Sequence, residues 1–411
     1  MMVEPKLRFK ADDGSDFPDW EEEMLGELVE IQRGGSPRPI SKFITTGEGI
    51  NWIKIGDAPS HGNCITKVKE RIIPEGKAKS REVHKGDLLL SNSMSFGRPY
   101  ILGVDGCIHD GWLVVHDTNA VFETEFLCGY LGTESVFRQY KRLAAGSAVN
   151  NLNKDLVSSV VLGVPSLPEQ RKIADLLSAV DDVIAAQEVE VAAWEKRKKG
   201  VMQKLFSQEV RFKADDGSDF PDWEEKTLGN LGTFLKGAPL SKSDITDEGT
   251  PLILYGELYT TYAEVAYSIA RRTDKKVPDK FYSKVGDVVI PTSGETPEEI
   301  STATCVMKDG VILAGDLYIY RPATNVDGRI LSYLLNHQVN NAISRIAQGK
   351  SVVHVQSKEL ERIHVIFPSS PIEQRKIADC LASLDDVIAK AKGELDAWRE
   401  LKKGLLQQMF V

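Results

Sequence analysis

The stretch EQRKIADLLSAVDDVIAA at residues 169–186 returns, nearly unchanged, as EQRKIADCLASLDDVIAK at residues 373–390. A second stretch, RFKADDGSDFPDWEE, is identical at residues 8–22 and 211–225. Fifteen identical residues in a row do not arise by chance, and both pairs are about 204 residues apart. The chain is therefore an internal duplication, with a repeat length of about 204 residues.

The text between these matching stretches diverges. Residues 26–165 and 229–367 share only short fragments, such as Gly86-Asp87 with Gly286-Asp287. We call these two ranges the variable segments and the matching text the constant segments. This pattern indicates that the constant segments perform one task twice, whereas the variable segments perform two versions of another task.

A heptad pattern follows the first proline of each helical copy, Pro168 and Pro371, where proline is tolerated at a helix start. Apolar residues alternate at spacings of four and three residues over about five heptads, which predicts a coiled coil. Lys198 and Lys402 interrupt the two seams and predict a partly solvated end. Two such helices are expected to pair with each other, to pack on another protein, or both. The predicted seam positions are 173, 177, 180, 184, 187, 191, 194, 198, 201 and 205, and 377, 381, 384, 388, 391, 395, 398, 402, 405 and 409.

Strand signals precede helical signals in both variable segments. Helical patterns cover 124–144 and 327–347, so we expect an α+β fold: two β-rich domains separated by two long helices that pair as an antiparallel coiled coil. The predicted domain bounds are 1–165, 166–207, 208–367 and 368–411. Apolar runs bounded by Gly or Pro predict strands at 51–56, 86–91, 100–104, 250–256, 286–291, 310–315 and 317–322.

Composition and charge narrow the class of protein. The chain has 411 residues, of which 42% are hydrophobic and 27% charged, and this excludes a largely disordered chain. No apolar run approaches the ~20 residues that cross a bilayer, and the N-terminus has no secretory signal, so we expect a cytoplasmic protein. The net charge of −9 argues against an ordinary nucleic-acid binder. The variable segments are nearly neutral and contain basic clusters at 67–85, 138–142 and 270–284, which on their own are typical of solvated surfaces.

Catalytic and metal-binding motifs are missing from the sequence. The five cysteines form no C-x-x-C pair, and the seven histidines show no metal-ligand spacing. There is no phosphate-binding loop, no G-x-S-x-G elbow, and no Asn-Pro-Pro-aromatic tetrapeptide that grips a flipped base. A duplicated chain without such motifs favours a recognition or scaffold protein over an enzyme.

Six stretches resemble the specificity (S) subunits of type I restriction–modification systems. Residues 146–184 and 349–388 resemble the helical regions of that family with the text that precedes them. RGGSPRP (33–39) with INWIKIGD (50–57), and KGAPLS (236–241) with TPLILYGEL (250–258), resemble the openings of its target-recognition domains. The resemblance covers nearly the whole chain.

The resemblance implies a non-catalytic role. Each recognition domain would read one half of a two-part sequence in double-stranded DNA, while the helices set the spacer and bind two methyltransferase (M) subunits and, optionally, two restriction (R) subunits. No cofactor or metal would bind this chain. S-adenosylmethionine, and ATP with Mg where R subunits are present, would bind the partners.

Base reading requires side chains that donate or accept hydrogen bonds in a groove, such as Arg to guanine or Asn to adenine. The candidates lie in Gly- or Ser-rich loops that resemble family loops. In the first recognition domain they are Arg33, Ser36, Arg38, Asn92, Ser93, Arg98, Ser147 and Lys154. In the second they are Lys236, Ser241, Thr292, Ser293, Lys350 and Lys358.

Outward positions of the two long helices are candidates for methyltransferase docking. Two rival hypotheses remain open at this point: a stand-alone scaffold whose domains bind proteins without any DNA preference, and an enzyme with an unrecognised site. The docking candidates are Gln170, Arg171, Asp182, Gln374, Arg375 and Asp386.

Overall fold

The computed structural model of the chain divides into two units, each of which contains one variable segment. Unit 1 comprises Met1–Glu190 with Ala391–Val411, and unit 2 comprises Val191–Lys390. The structure describes residues 5–59, 62–92, 97–144, 152–347, 349 and 353–410.

Unit 1 is built mainly from short strands. Its strands are β1 (Glu21–Met24), β2 (Glu30–Arg33), β3 (Ile44–Thr45), β4 (Ile50–Ile53), β5 (Cys64–Ile65), β6 (Glu70–Ile72), β7 (Arg81–Val83), β8 (Leu88–Ser91), β9 (Pro99–Leu102), β10 (Gly106–Ile108), β11 (Trp112–His116) and β12 (Val161–Val164). Its helices are α1 (Leu25–Leu28), α2 (Thr124–Leu131), α3 (Glu134–Ala144), α4 (Lys154–Ser158) and the first part of α5 (Leu167–Phe206).

Two five-stranded sheets form the β-rich domain of unit 1. One sheet has the order β2-β11-β8-β9-β5 and the other β3-β6-β4-β10-β7. Strand β8 reads LLLS and is buried along its whole length, as expected for a central strand. Trp112 and Tyr100 pack edge-to-face within this core, with ring centroids 5.6 Å apart.

Unit 2 repeats this plan with other residues. Its strands are β13 (Glu224–Thr227), β14 (Gly232–Lys236), β15 (Thr250–Leu254), β16 (Val265–Ala266), β17 (Arg271–Thr273), β18 (Asp287–Pro291), β19 (Ser293–Gly294), β20 (Thr304–Val306), β21 (Ile312–Ala314), β22 (Leu317–Pro322), β23 (Val353–His354) and β24 (His364–Phe367). Its helices are α6 (Leu228–Leu231), α7 (Pro297–Ile300), α8 (Gly328–His337), α9 (Asn340–Ile346), α10 (Ser357–Leu360) and the first part of α11 (Pro371–Met409).

The sheets of unit 2 follow the strand order of unit 1. The order β14-β22-β18-β20-β16 corresponds strand by strand to β2-β11-β8-β9-β5, and β17-β15-β21 corresponds to β6-β4-β10. The predicted α+β fold with two β-rich domains is confirmed. Each predicted helical pattern, 124–144 and 327–347, is a pair of helices rather than one, since the first is interrupted at Gly132-Thr133 and the second at Gln338-Val339.

The long helices α5 and α11 have 40 and 39 residues and lie within the predicted helical ranges 166–207 and 368–411. All twenty predicted seam positions are buried or half-buried, so the heptad pattern identified the inward face correctly. Both helices contribute to each unit, because the division between the units falls within them.

The helices pair in antiparallel fashion within unit 1. Lys402 Nζ lies 2.6 Å from Asp181 Oδ1, and Arg399 Nη2 donates to Glu188 Oε1 at 2.7 Å. The partner's number rises along α5 as it falls along α11, which is the signature of an antiparallel pair. In unit 2 the corresponding contact joins Lys198 and Asp385 at 2.5 Å.

Each copy of the identical segment RFKADDGSDFPDWEE binds the start of one long helix. Arg8 donates to both carboxylate oxygens of the fully buried Glu169, from Nε at 3.1 Å and from Nη2 at 2.9 Å. Arg211 binds Glu373 in the same way, at 3.0 and 2.9 Å. Each glutamate lies in the first turn of its helix, near the positive end of the helix dipole, and is also held by arginine in a bidentate charge-assisted geometry.

Candidate nucleic-acid interface

A single loop gathers four of the predicted DNA-contacting residues of unit 1. The loop joins β10 to β11 and carries Asp110. The main-chain oxygen of Asp110 accepts from Arg33 Nε at 3.1 Å and from Asn92 Nδ2 at 2.9 Å. Its carboxylate accepts from Ser36 Oγ at 3.0 Å and lies 3.5 Å from Arg38 Nη2.

His109 completes this group, which we call the Asp110 cluster (Arg33, Ser36, Arg38, Asn92, His109 and Asp110). His109 Nε2 lies 3.0 Å from Asp110 Oδ1. Arg33 and Arg38 are exposed, whereas Asn92 is buried. Arg33 donates from its Nε and accepts at its main-chain oxygen, and its two terminal nitrogens have no acceptor among the described residues.

The other predicted residues of unit 1 lie elsewhere or are not described. Arg98 donates to Gly62 O at 3.3 Å and lies over the Tyr100 ring, 5.3 Å from its centroid. Lys154 is exposed in α4 and lines a different, shallow cleft. Ser93 and Ser147 lie outside the described residues.

A polar cleft of about 1120 Å³ gathers the corresponding residues of unit 2. Lys236, Ser241 and Thr292 line it, as does Asp316 in the loop between β21 and β22. Ser293 is buried and donates to Asp316 Oδ2 at 3.3 Å. Lys358 is exposed on α10 and does not line this cleft, and Lys350 lies outside the described residues.

Sequence reasoning missed most side chains of this cleft. Arg271 belongs to the basic cluster 270–284, whose composition is typical of a solvated surface. Arg271 could be recognised by its position in a strand beside a buried acid, but that position is known only once the strands are paired. The missed residues that carry hydroxyl or charged groups are Lys242, Ser243, Tyr255, Glu257, Tyr259, Thr260, Thr261, Arg271, Glu295 and Asp316.

Arg271 is fixed by an acid of its own domain. Its Nε donates to Glu257 Oε1 at 3.0 Å, and the other oxygen of Glu257 accepts from the main-chain nitrogen of Leu254 at 3.2 Å. Glu257 is buried, whereas Arg271 is exposed. Near this pair, burial raises the pKa of Tyr259 above its usual value, so its hydroxyl remains protonated and able to donate at neutral pH.

A buried ionic group joins the β-rich domain of unit 2 to the long helices within that unit. Lys198 contacts Glu264 at 3.0 Å and Asp385 at 2.5 Å, and only 11% of its side chain is exposed. Burial lowers the pKa of Lys198, but the two carboxylates outweigh it and hold this pKa above its usual value. The predicted solvated end is therefore wrong for Lys198, because acids from residues far away in sequence surround it.

Gln170 does not face outward, as predicted for a docking residue. It is buried and donates to the main-chain oxygens of Val121 at 3.0 Å and Pro165 at 2.9 Å. Its own oxygen accepts from the main-chain nitrogen of Glu123 at 2.9 Å. The predicted orientation is wrong because buried main-chain groups need partners, and this side chain supplies them.

Gln374 repeats this arrangement in unit 2, so its predicted outward orientation is also wrong. It donates to Pro368 O at 2.8 Å and accepts from Asp327 N at 2.8 Å. The remaining docking candidates are exposed, and their docking role stays a prediction. They are Arg171, Asp182, Arg375 and Asp386.

Each unit contains most of one copy of a known domain. A sequence model of the family described as the type I restriction modification DNA specificity domain matches residues 18–191 and 221–397. The chain belongs to this family.

Relatives of this specificity family match the chain from end to end. The type I restriction enzyme MjaVIII specificity subunit of Methanocaldococcus jannaschii is 21% identical over 434 residues, covering 98% of this chain and 95% of the relative. The type I S subunit from M. genitalium has a similar fold, with a TM-score of 0.64, 16% identity, and coverage of 100% of this chain and 99% of that one. A chain from a structure of type I restriction–modification complex assembly and conformational transition has a TM-score of 0.56, 17% identity, and coverage of 95% and 97%.

Membrane insertion finds no support in the described helices. Within the described parts of the chain, no helix combines the length and the apolar character needed to cross a bilayer.

Proposed function

We propose that this specificity-family chain is the non-catalytic DNA-reading subunit of a type I restriction–modification complex, and that each recognition domain reads one half of a two-part sequence in double-stranded DNA. One observation carries the proposal. The two domains share one strand order, yet their corresponding loops, around Asp110 and around Asp316, present different side chains. A common scaffold with different surfaces is what two different half-sites require.

The side chains at these loops suit base edges. Arginine donors match the acceptors of guanine, while amide, hydroxyl and carboxylate groups match the amino groups of adenine and cytosine. The Asp110 cluster contains both kinds, as does the cleft of unit 2. The overall charge of −9 leaves much of the phosphate contact to partner subunits.

The partners follow from the same role. Two M subunits would dock on exposed helix positions, with Arg171, Asp182, Arg375 and Asp386 as the first candidates. The long helices would set the number of unread base pairs between the half-sites. S-adenosylmethionine would bind the M subunits, ATP with Mg would bind R subunits where these join, and the complex would act in the cytoplasm.

A long-read map of adenine methylation tests the proposal. Cells that carry this chain with its M subunit are compared with cells that lack only this chain. We expect a two-part motif with a fixed gap that disappears with the chain. Identical maps, together with co-purification of both subunits, would contradict the proposal.

Exchange of one variable segment sharpens the test. Residues 229–367 are replaced by the corresponding segment of another family member, while the constant segments stay as they are. We expect one half-site to change and the other to stay. A change in both halves would show that the domains do not read independently.

A further inference from the structure

The guanidinium group of Arg271 is fixed on one side and open on the other. Its Nε is bound to Glu257, and its Nη1 and Nη2 have no acceptor among the described residues. Glu257 cannot swing away freely, because it is buried and its second oxygen is bound to Leu254 N. The two terminal nitrogens therefore form a pre-oriented pair of donors at the cleft.

The charges around Arg271 distinguish a base from a phosphate as its target. The cleft is lined by three cations, Lys236, Lys242 and Arg271, and by three carboxylates, Glu257, Glu295 and Asp316. A surface that follows phosphates is predominantly positive, since each contact neutralises a negative charge. A balanced set of donors and acceptors, with tyrosine and threonine hydroxyls between them, fits the mixed edges of base pairs instead.

We propose that Arg271 is the guanine-reading residue of the second recognition domain, and that Glu257 is the positioning residue that orients it. Guanine presents O6 and N7 as adjacent acceptors in the major groove, and the two open guanidinium nitrogens match this pair. The inference rests on the proposed function, because it assumes that the cleft meets a DNA half-site. It adds which base is read there and by which atoms.

The test uses the complex of the full chain with its M subunits. Methylation maps and equilibrium binding to duplexes, with each half-site position replaced in turn, are compared for wild type and Arg271→Gln. We expect the variant to lose roughly 10- to 100-fold of its discrimination at one G·C position of the half-site assigned to residues 229–367. The other half-site should be read as before.

Arg272 provides the matched control, because it carries the same charge one residue along the same strand. Successive strand residues lie on opposite faces. Arg272 binds Gly249 O at 3.0 Å and does not line the cleft. Arg272→Gln removes one positive charge, as Arg271→Gln does, and should leave the motif unchanged.

Arg271→Lys covers the case in which the glutamine variant folds poorly. It keeps the charge but lacks the planar fork, so we expect it to retain affinity and lose discrimination at the same position. Equal weakening on all sequences, with a smaller salt dependence, would mean a phosphate contact and overturn the inference. An unchanged motif, or a half-site without a G·C pair, would also overturn it. Absence of any motif with the wild-type chain would overturn the proposed function itself.

Discussion

Lys198 and Lys402 occupy corresponding positions of the repeat but have different surroundings. Lys198 bridges Glu264 and Asp385 and is nearly buried, whereas Lys402 binds both oxygens of Asp181 and keeps 24% of its side chain exposed. The aspartates belong to the constant segments and correspond to each other. The difference arises in the variable segment, since among the described residues only that of unit 2 supplies a further acid to the lysine.

The neighbours of Glu264 strengthen this contrast. His337 Nε2 lies 2.5 Å from Glu264 Oε1, and Tyr333 donates a hydrogen bond to Asp385. The main-chain N–H of Glu123 binds Gln170, and that of Asp327 binds Gln374, so these two residues correspond. Counted from them, Tyr333 of unit 2 corresponds to Gly129 of unit 1. The same lysine and aspartate of the constant segments therefore belong to a buried ionic group in unit 2 and form a half-exposed ion pair in unit 1.

Removing each lysine should give the largest difference in folding free energy between the two units. Lys198→Met leaves two buried or half-buried carboxylates without their cation, and we expect it to cost about 3–5 kcal/mol of folding free energy. Lys402→Met breaks a more exposed pair and should cost about 1 kcal/mol or less. Urea unfolding of both variants measures the difference. Equal losses would show that the variable segment does not decide the role of the lysine.

Acid should distinguish Glu264 from an exposed glutamate. Burial raises the pKa of Glu264, but His337 and Lys198 outweigh it and lower this pKa to about 2. The carboxylate is thus ionised more readily in the folded state, so its contribution is complete above pH ~4.5 and is lost as pH falls towards 2. That contribution is on the order of 3 kcal/mol.

The variant Glu264→Gln should therefore show a weaker fall in folding free energy than wild type between pH ~4.5 and 2. Denaturant unfolding at several pH values measures it. Glu225→Gln is the matched control, because Glu225 also pairs with a histidine, His364 at 3.2 Å, but on the exposed surface. Parallel pH profiles for wild type and Glu264→Gln would exclude a role for this carboxylate.

The Arg8–Glu169 and Arg211–Glu373 pairs should show the smallest difference in folding free energy. Trp20 Nε1 donates to Glu169 Oε2 at 3.2 Å, whereas the buried Nε1 of Trp223 has no partner among the described residues. Arg8→Ala therefore leaves Glu169 one donor, and Arg211→Ala leaves Glu373 none from its tryptophan. We expect Arg211→Ala to be more destabilising by about 1 kcal/mol in thermal unfolding. Adding Trp20→Phe to Arg8→Ala should abolish the difference, and a difference that persists would assign it elsewhere.

Features that repeat along the chain could be predicted, and features formed by distant residues could not. The seam of α5 and α11 follows from spacing alone, and the strand β18 follows from the run GDVVIP. The burial of Lys198 depends on Glu264, which is 66 residues away and contributed by another element. The periodicity of the helix sequence does not predict such a partner.

The candidate site divides in the same way. Residue type and loop position predicted Arg33, Ser36, Arg38 and Asn92, and the structure places all four around Asp110. Asp110 itself was missed, since a lone acid in a turn has an ordinary explanation. Arg271 was missed because its fixed orientation depends on Glu257, and that pairing requires the folded sheet.

Gln170 and Gln374 have a consequence for how such a chain can evolve. Each holds its recognition domain through a main-chain N–H group, and Gln170 also through the C=O group of Val121; every residue except proline provides both groups. These glutamine contacts are therefore independent of the side chains of the domain that they hold. A foreign recognition domain acquired by recombination within the constant segments would keep the two glutamine contacts, whereas side-chain contacts such as that of Lys198 with Glu264 would change with the domain. New DNA specificities could then arise by exchange of a recognition domain without any change to the glutamines that hold it.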